Sequence, residues 1–270
     1  EVGFALFERV GGRLRFSADG RRFYAEVRNV LGLIARLEQV AGSIREGKPE
    51  TLTIASHPSA SISVLPAVVS EVYSNRSDAR INMVNRTSEE VRGLFEAGGV
   101  DIGVAEWPIH IPAVELRRYD IDCVAVVPAG HALTQELVIT PKMLVQERLI
   151  AMPATRLIGH KIKCAFGDGG AEFAPAIESE YFSAICAMVA SGCGVAVVDG
   201  WSAETFRSSG LEVRPFAPAV GYEIGVFFRT TPGPTSLAAE LLHILDQRLR
   251  DKMRPSGAVV AAQTRGLAIP

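Results

Sequence analysis

The sequence predicts an α/β protein of two lobes behind one long amphipathic helix, and three observations predict it. Beyond Pro49, short runs of β-forming residues alternate with helical patterns, which is the arrangement of a parallel sheet with crossover helices. Residues 114–127, and a shorter stretch around Val220 and Gly221, are extended enough to cross from one lobe to the other. In residues 17–47, the side chains Phe23, Val27, Val30, Ile34, Leu37, Ala41 and Ile44 recur at alternating steps of four and three. That spacing is an apolar a/d seam, and Arg22, Arg28, Arg36, Glu38, Gln39 and Arg45 fill the other faces. About 30 helical residues span roughly 45 Å, too long for an ordinary core helix. Such a helix either pairs with its copy in a second chain or lies on its own domain. Heptads sustained this long favour pairing.

Composition narrows the class. The chain of 270 residues is 48% hydrophobic and 21% charged, as in a globular protein with a real core. A net charge of −2 supplies no global field toward nucleic acid, so any DNA contact has to be local. Cys123, Cys164, Cys186 and Cys193 form no C-x-x-C pair, which points to reduced, largely buried thiols in a cytoplasm and not to a zinc site or disulfide framework. The opening residues lack a basic, apolar leader. They also lack Met, so the sequence reads as cut from the front of a longer protein. The uncharged stretch 181–198 is broken by Ser191-Gly192-Cys193-Gly194, so it reads as helix, turn and strand and not as a membrane span.

Taken in order, Phe4, Leu6 and Phe7 are anchors, and Val10-Gly11-Gly12-Arg13 is a tight-turn signal with Leu14 and Phe16 alternating after it. The expected hairpin carries Arg9, Arg13 and Arg15. Arginines there suit phosphate contacts, or else form a solvated charged turn. Ser17 can cap the long helix, and Gly47-Lys48-Pro49 can stop it. Strands are expected at 51–55, 81–84, 100–104, 148–152, 195–198, 211–215 and 222–228. Helices are expected through Leu65, Val68 and Val72, after Asn85-Arg86-Thr87-Ser88, from Pro141, at 181–190 and at 237–249. Residues 252–270 read as a weakly ordered tail.

Turns that leave a strand and open a helix line the cleft of a two-lobed α/β protein, and helix N-termini favour anions. The candidates are His57-Pro58-Ser59, Thr87-Ser88 after Arg86, and Met152-Pro153-Ala154-Thr155. Trp107, Arg156, Tyr181, Phe182, Ser183 and Asp199 could oppose them, with Glu106 and Asp199 available to a cationic group. Ser59, Thr87, Ser88 and Thr155 would donate hydrogen bonds, although Ser59, Thr87 and Ser88 could equally be helix caps. Glu178 and Glu180 read as solvated carboxylates. Catalysis finds little support. The five histidines have no metal-ligand spacing, no G-x-S-x-G elbow occurs, and the G-x-x-x-x-G-K match at 42–48 has Pro49 where a phosphate loop needs Ser or Thr. No metal or cofactor is expected.

The order of parts resembles the LysR-type transcriptional regulators. Leu6-Phe7-Glu8-Arg9, the basic turn Gly12-Arg13-Leu14 and Ser17-Ala18-Asp19-Gly20 are similar to the wing region of that family, with Asp19-Gly20 where Ala-Gly is usual. The resemblance continues through Leu52-Thr53-Ile54, Leu65-Pro66, Asp101-Ile102-Gly103, Val127-Pro128 with Gly130-His131, and Gly192 with Gly194-Val195-Ala196. It implies that 1–16 are the wing remnant of a winged helix-turn-helix and that 17–47 are a dimerising linker helix. Residues 50–251 are then a periplasmic-binding-protein-like effector domain, with lobe I at about 50–122 and 221–251 and lobe II at about 123–220. It also implies DNA, a small-molecule effector and a second copy as partners, in a dimer or tetramer with no membrane. Ala55-Ser56-His57-Pro58-Ser59, the run from Asp101 to Glu106 and Val197-Val198-Asp199 look like the opine-catabolism regulators, which implies a carboxylate or amino-acid derivative as effector. A solute-binding protein for transport would share the fold, but it would carry a signal peptide and lack the basic hairpin and heptad helix.

Overall fold

A computed structural model describes residues 2–45, 51–111, 114–231 and 233–251. The chain opens with a hairpin of β1 (Phe7–Val10) and β2 (Arg13–Phe16), turned by Gly11 and Gly12 at φ 59° and 79°. Two successive positive φ values are what a two-residue hairpin turn demands. Helix α1 (Ala18–Arg45) follows. The Ser17 hydroxyl accepts the Gly20 N–H at 2.8 Å, which is the N-cap read from the sequence. The stop at 47–49 and the tail at 252–270 lie outside the described residues.

Phe7 stacks on Phe16 and Phe16 on Tyr24, so the hairpin packs on the first turns of α1. Phe23 meets Phe4 edge-on with centroids 5.5 Å apart, inside its own chain. Farther along, Val30, Ile34 and Leu37 are 56%, 48% and 69% exposed. Gly32 meets the body instead, because a Cβ there would lie 1.8 Å from the Ala97 carbonyl oxygen. At 100° per residue Gly32 is about 140–160° around the helix from Val30, Ile34 and Leu37. The helix rests on its own body at Gly32 and leaves Val30, Ile34 and Leu37 bare on the other face, while Phe23 and Val27 are half-buried. The Ile44 side chain lies outside what is described.

The first lobe is built from β3 (Thr51–Ser56), α2 (Pro58–Ser63), α3 (Leu65–Asn75), β4 (Arg80–Asn85), α4 (Ser88–Glu96) and β5 (Ile102–Glu106). Strands β4, β3 and β5 are parallel, in that order. The long strand β6 (Val114–Pro128) then crosses to the second lobe. That lobe holds α5 (Pro141–Leu144), β7 (Leu149–Ala151), α6 (Leu157–Asp168), β8 (Ile177–Glu178), α7 (Phe182–Ala190), β9 (Val195–Asp199), α8 (Gly200–Phe206) and β10 (Leu211–Pro215). Strand β11 (Gly221–Arg229) returns, and α9 (Ser236–Asp251) packs on α3.

The expected parallel pairing holds within each lobe, and antiparallel strands add to it. The parallel trios β4-β3-β5 and β8-β7-β9 are extended by antiparallel strands: β11 on β5 and β6, and β6 on β9 and β10. The antiparallel strands include the two crossings, whose direction is set by having to leave one lobe and return. Pairing of β6 passes from Gly221↔Asp122 on β11 to Cys123↔Asp199 on β9 within one residue step. Of the cysteines, Cys123 and Cys186 are buried, Cys193 is half-buried and Cys164 is exposed, all free.

A small apolar cluster under α4 steadies the first lobe. Phe95 is fully buried edge-on to Phe227, and Arg229 lies over its ring. Phe95→Ala should cost about 3–5 kcal/mol by leaving a cavity in that cluster, read as a lowered urea midpoint with an unchanged slope.

Candidate functional site

The interlobe cleft holds a pocket, partly open to solvent, with about 310 Å³ of empty space. The first lobe lines it with His57, Pro58 and Ser59 where β3 enters α2, Thr87 and Ser88 where β4 enters α4, Glu106 at the end of β5, and Tyr222 on β11. The second lobe contributes Met152 and Arg156 between β7 and α6, and Glu180, Tyr181 and Phe182 leading into α7. Each segment leaves a strand end and opens a helix, apart from Glu106, which ends β5 ahead of β6, and Tyr222 on the return strand. The sequence turns thus converge because parallel strands deliver their C-terminal ends to one side of a sheet.

Several expected residues serve double roles. Thr87 forms a full capping box with Glu90, its hydroxyl accepting the Glu90 N–H while the Glu90 carboxylate accepts the Thr87 N–H. The Ser88 hydroxyl accepts the Glu106 N–H at 3.0 Å and so holds the end of β5 against α4. Ser59 donates its hydroxyl to Asp199 across the interlobe boundary at 3.0 Å. Asp199 does not line the cavity. It is fully buried, and its other oxygen accepts the N–H groups of Trp201 and Ser202 as the cap of α8. Burial raises its carboxyl pKa against the opposing pull of those hydrogen bonds. Neither oxygen is directed to a cationic ligand, so that role falls to Glu106. Ala154, Thr155 and Ser183 are also outside the lining. Trp107 faces a neighbouring cavity of about 260 Å³ that shares Glu106 and Tyr222 with the first.

Glu106 is the polar hub. Its Oε1 accepts the Tyr222 hydroxyl at 2.9 Å, and its Oε2 pairs with the Arg156 guanidinium of the second lobe at 3.2 Å. A further interlobe pair, Lys161–Glu223 at 3.1 Å, lies by the second cavity. Two lining residues were not read as site residues. Glu180 was read as a solvated carboxylate, and Tyr222 was read only as part of a strand. The signal for Tyr222 was its place beside the second crossing, since a return strand must pass the cleft floor.

His57 is 2% exposed and its Nε2 has no hydrogen-bond partner. Burial, reinforced by Arg156 and opposed by Glu106, lowers its pKa from 6.5 to about 4. The ring is therefore neutral in the fold down to about pH 4, whereas the unfolded chain protonates it near 6.5. Between those values the unfolded state binds the extra proton, so stability falls as pH falls, by about 3 kcal/mol in all. His57→Gln should remove that component, and urea denaturation at pH 6.5 and pH 4 should show a smaller acid loss in the variant.

On the hairpin, Arg13 and Arg15 share one face with Glu8, while Arg9 pairs opposite Leu14 and lies on the other face.

A family model described as the LysR substrate binding domain matches residues 45–250. The transcriptional activator protein LysR of Escherichia coli (strain K12) is 31% identical over 227 residues, spanning 83% of this chain and 73% of that protein. The regulatory protein NocR of Agrobacterium tumefaciens (strain T37) is 24% identical over 241 residues, spanning 89% of this chain and 80% of that protein. A full-length OxyR variant from Pseudomonas aeruginosa superposes with a TM-score of 0.64 at 18% identity, covering 92% of this chain and 81% of the other, a likeness of fold.

Proposed function

The chain belongs to the LysR family of transcriptional regulators, and from that premise we propose that a small carboxylate or amino-acid derivative, bound between the lobes, sets its regulatory state. The observation that carries this is a cavity lined from both lobes in which Glu106 of one pairs with Arg156 of the other. A ligand that exchanges for that pair changes how the lobes are held, which is the differential contact a two-state regulator requires. The other predicted cleft residues, Asp199, Ala154, Thr155, Ser183 and Trp107, lie outside the lining of this cavity. The relatives being regulators supports a non-enzymatic role and sets the transport reading aside. Work on DNA fits a cytoplasmic protein, and among the described residues no helix is long and apolar enough to cross a membrane.

DNA binding in this reading belongs to an N-terminal domain whose wing is 1–16. Arg13 and Arg15, on one face, would take one phosphate run, and Arg9 would take a separate contact. Helix α1 is the dimer element. Its Val30, Ile34 and Leu37 stripe is bare while its opposite face rests on the body, so burying the stripe takes a second chain. Phe23 is held by Phe4 and contributes at the margin. The domain division that this reading uses is a wing, a linker helix, a lobe I of 50–122 with 221–251, and a lobe II of 123–220.

Two outcomes test these parts separately. Ile34→Asp combined with Leu37→Asp should turn a dimer into a monomer in sedimentation equilibrium, while the unfolding midpoint of the effector domain stays within about 0.5 kcal/mol of the parent. Calorimetry with amino acids, opine-type conjugates and simple carboxylates should find a binder, and Arg156→Ala should weaken it by about 2–3 kcal/mol. A binder indifferent to Arg156→Ala would move the site elsewhere.

A further inference from the structure

The hydrogens in the cleft wall can be assigned, and they determine what the cavity lacks. Tyr222 has one hydroxyl hydrogen. It goes to Glu106 Oε1 at 2.9 Å, a carboxylate oxygen of the residue that pairs with Arg156. Burial, with Glu106 beside it, raises the Tyr222 pKa well above 10, so the hydroxyl keeps that hydrogen. His57 Nδ1 lies 3.4 Å from the same oxygen. Toward His57 the hydroxyl oxygen can then only accept, so Nδ1 carries the imidazole hydrogen. The ring is neutral, and the second nitrogen, Nε2, is left as a bare lone pair. That atom is buried without a partner, on a residue lining the cavity. A buried acceptor with no donor costs free energy that a ligand N–H would recover.

The charges around it point the same way. Two lining carboxylates, Glu106 and Glu180, face one lining guanidinium, Arg156. A plain carboxylate that took Arg156 would strip Glu106 of its cation and leave a part-buried charge unpaired. A ligand bringing both signs leaves Glu106 and Arg156 each with a partner.

We propose that the cleft is built for a zwitterion of the α-amino-acid type, its ammonium held between His57 Nε2 and the Glu106 carboxylate and its carboxylate taken by Arg156. This rests on the reading of the cleft as the effector site and narrows the effector class. The ligand inserts into the Glu106–Arg156 pair and exchanges one ion pair for two. Its ammonium supplies the donor that His57 lacks, and the Tyr222–Glu106 hydrogen bond persists. Because the ligand carries no net charge, the cleft keeps its charge balance on binding.

The test is titration calorimetry of the whole chain with the common α-amino acids and opine-type conjugates, then with the des-amino acid and the carboxamide of each binder. The expected result is an amino-acid binder that loses at least about tenfold in affinity when either charged group is removed. Glu106→Gln should weaken the amino acid by a similar factor and spare its des-amino analogue, so the ratio between the two ligands collapses. His57→Phe should do the same. His57→Gln, which still offers an acceptor, should recover most of what His57→Phe loses. A purely structural defect would weaken both ligands together. A des-amino acid binding as tightly as its parent overturns the zwitterion and leaves the cleft standing as a carboxylate site. The same holds if benzoate or acetate binds and no amino acid or conjugate does. Binding indifferent to Glu106→Gln, His57→Phe and Arg156→Ala overturns both readings, as does silence from every ligand.

Discussion

A carboxylate sealed from water sets the terms for the closed arrangement of the lobes. Asp199 is fully buried, and a buried anion is tolerated only where donors replace its hydration. Donors come from the first turn of α8 in its own lobe, the Trp201 and Ser202 N–H groups and the Ser202 hydroxyl, and from the Ser59 hydroxyl of the other lobe. The lobes cannot part without removing the Ser59 donor from this buried carboxylate. The turn at Ser59 is thereby fixed against β9, and with it the neighbouring His57 and Pro58 that line the cavity. The residue expected to meet a cationic ligand instead holds the wall that the ligand meets.

Above that fixed floor the wall is exchangeable. Glu106 accepts from Tyr222, pairs with Arg156 and is anchored through its own N–H to Ser88. The Ser88 bond holds its backbone, so the side chain can change partners without moving β5. Arg156 is the cap residue of α6, and its helix carries Lys161, which pairs with Glu223 by the second cavity. The interlobe ion pairs are thus part-exposed and replaceable, while the Asp199 contact is sealed. Replaceable contacts are the ones a ligand can compete for.

The two-lobed α/β architecture was legible because hydrophobic periodicity changes sharply along the chain: heptads to Gly47, then short strands alternating with helices. The crossing at Val114–Pro128 stood out because its extended run is longer than an ordinary strand. Strand direction was not legible, since a run of β-formers such as 222–228 reads the same either way and only the closed sheet decides. Helix α8 was missed because Gly200 and Trp201 are poor helix formers, and its start is set by the Asp199 cap in a buried context. The turns at His57, Thr87 and Met152 could be located as strand-to-helix junctions. Whether a side chain there would cap, bridge or face solvent depends on the opposite lobe, more than a hundred residues away in sequence for the pair Ser59 and Asp199. Tyr222 escaped because it lies on a return strand away from any such junction, and Glu180 because the two-residue strand β8 before it leaves no strand pattern in the sequence.

A cleft in which Glu106 and Arg156 are already paired is compatible with ligand control because of how such pairs are stabilised. A part-buried ion pair gains Coulomb energy and loses hydration in similar amounts, so its net worth is small. Replacing it with two pairs to a ligand therefore costs little beyond the ligand's own desolvation and ordering. The unsatisfied His57 nitrogen tilts that near-balance, since filling it gives a bond that water outside the cleft does not already provide. Had Glu106 and Arg156 been sealed as Asp199 is, exchange would have required breaking contacts worth several kcal/mol before any were regained. The different burial of the two carboxylates is what lets one hold the lobes while the other answers to a ligand.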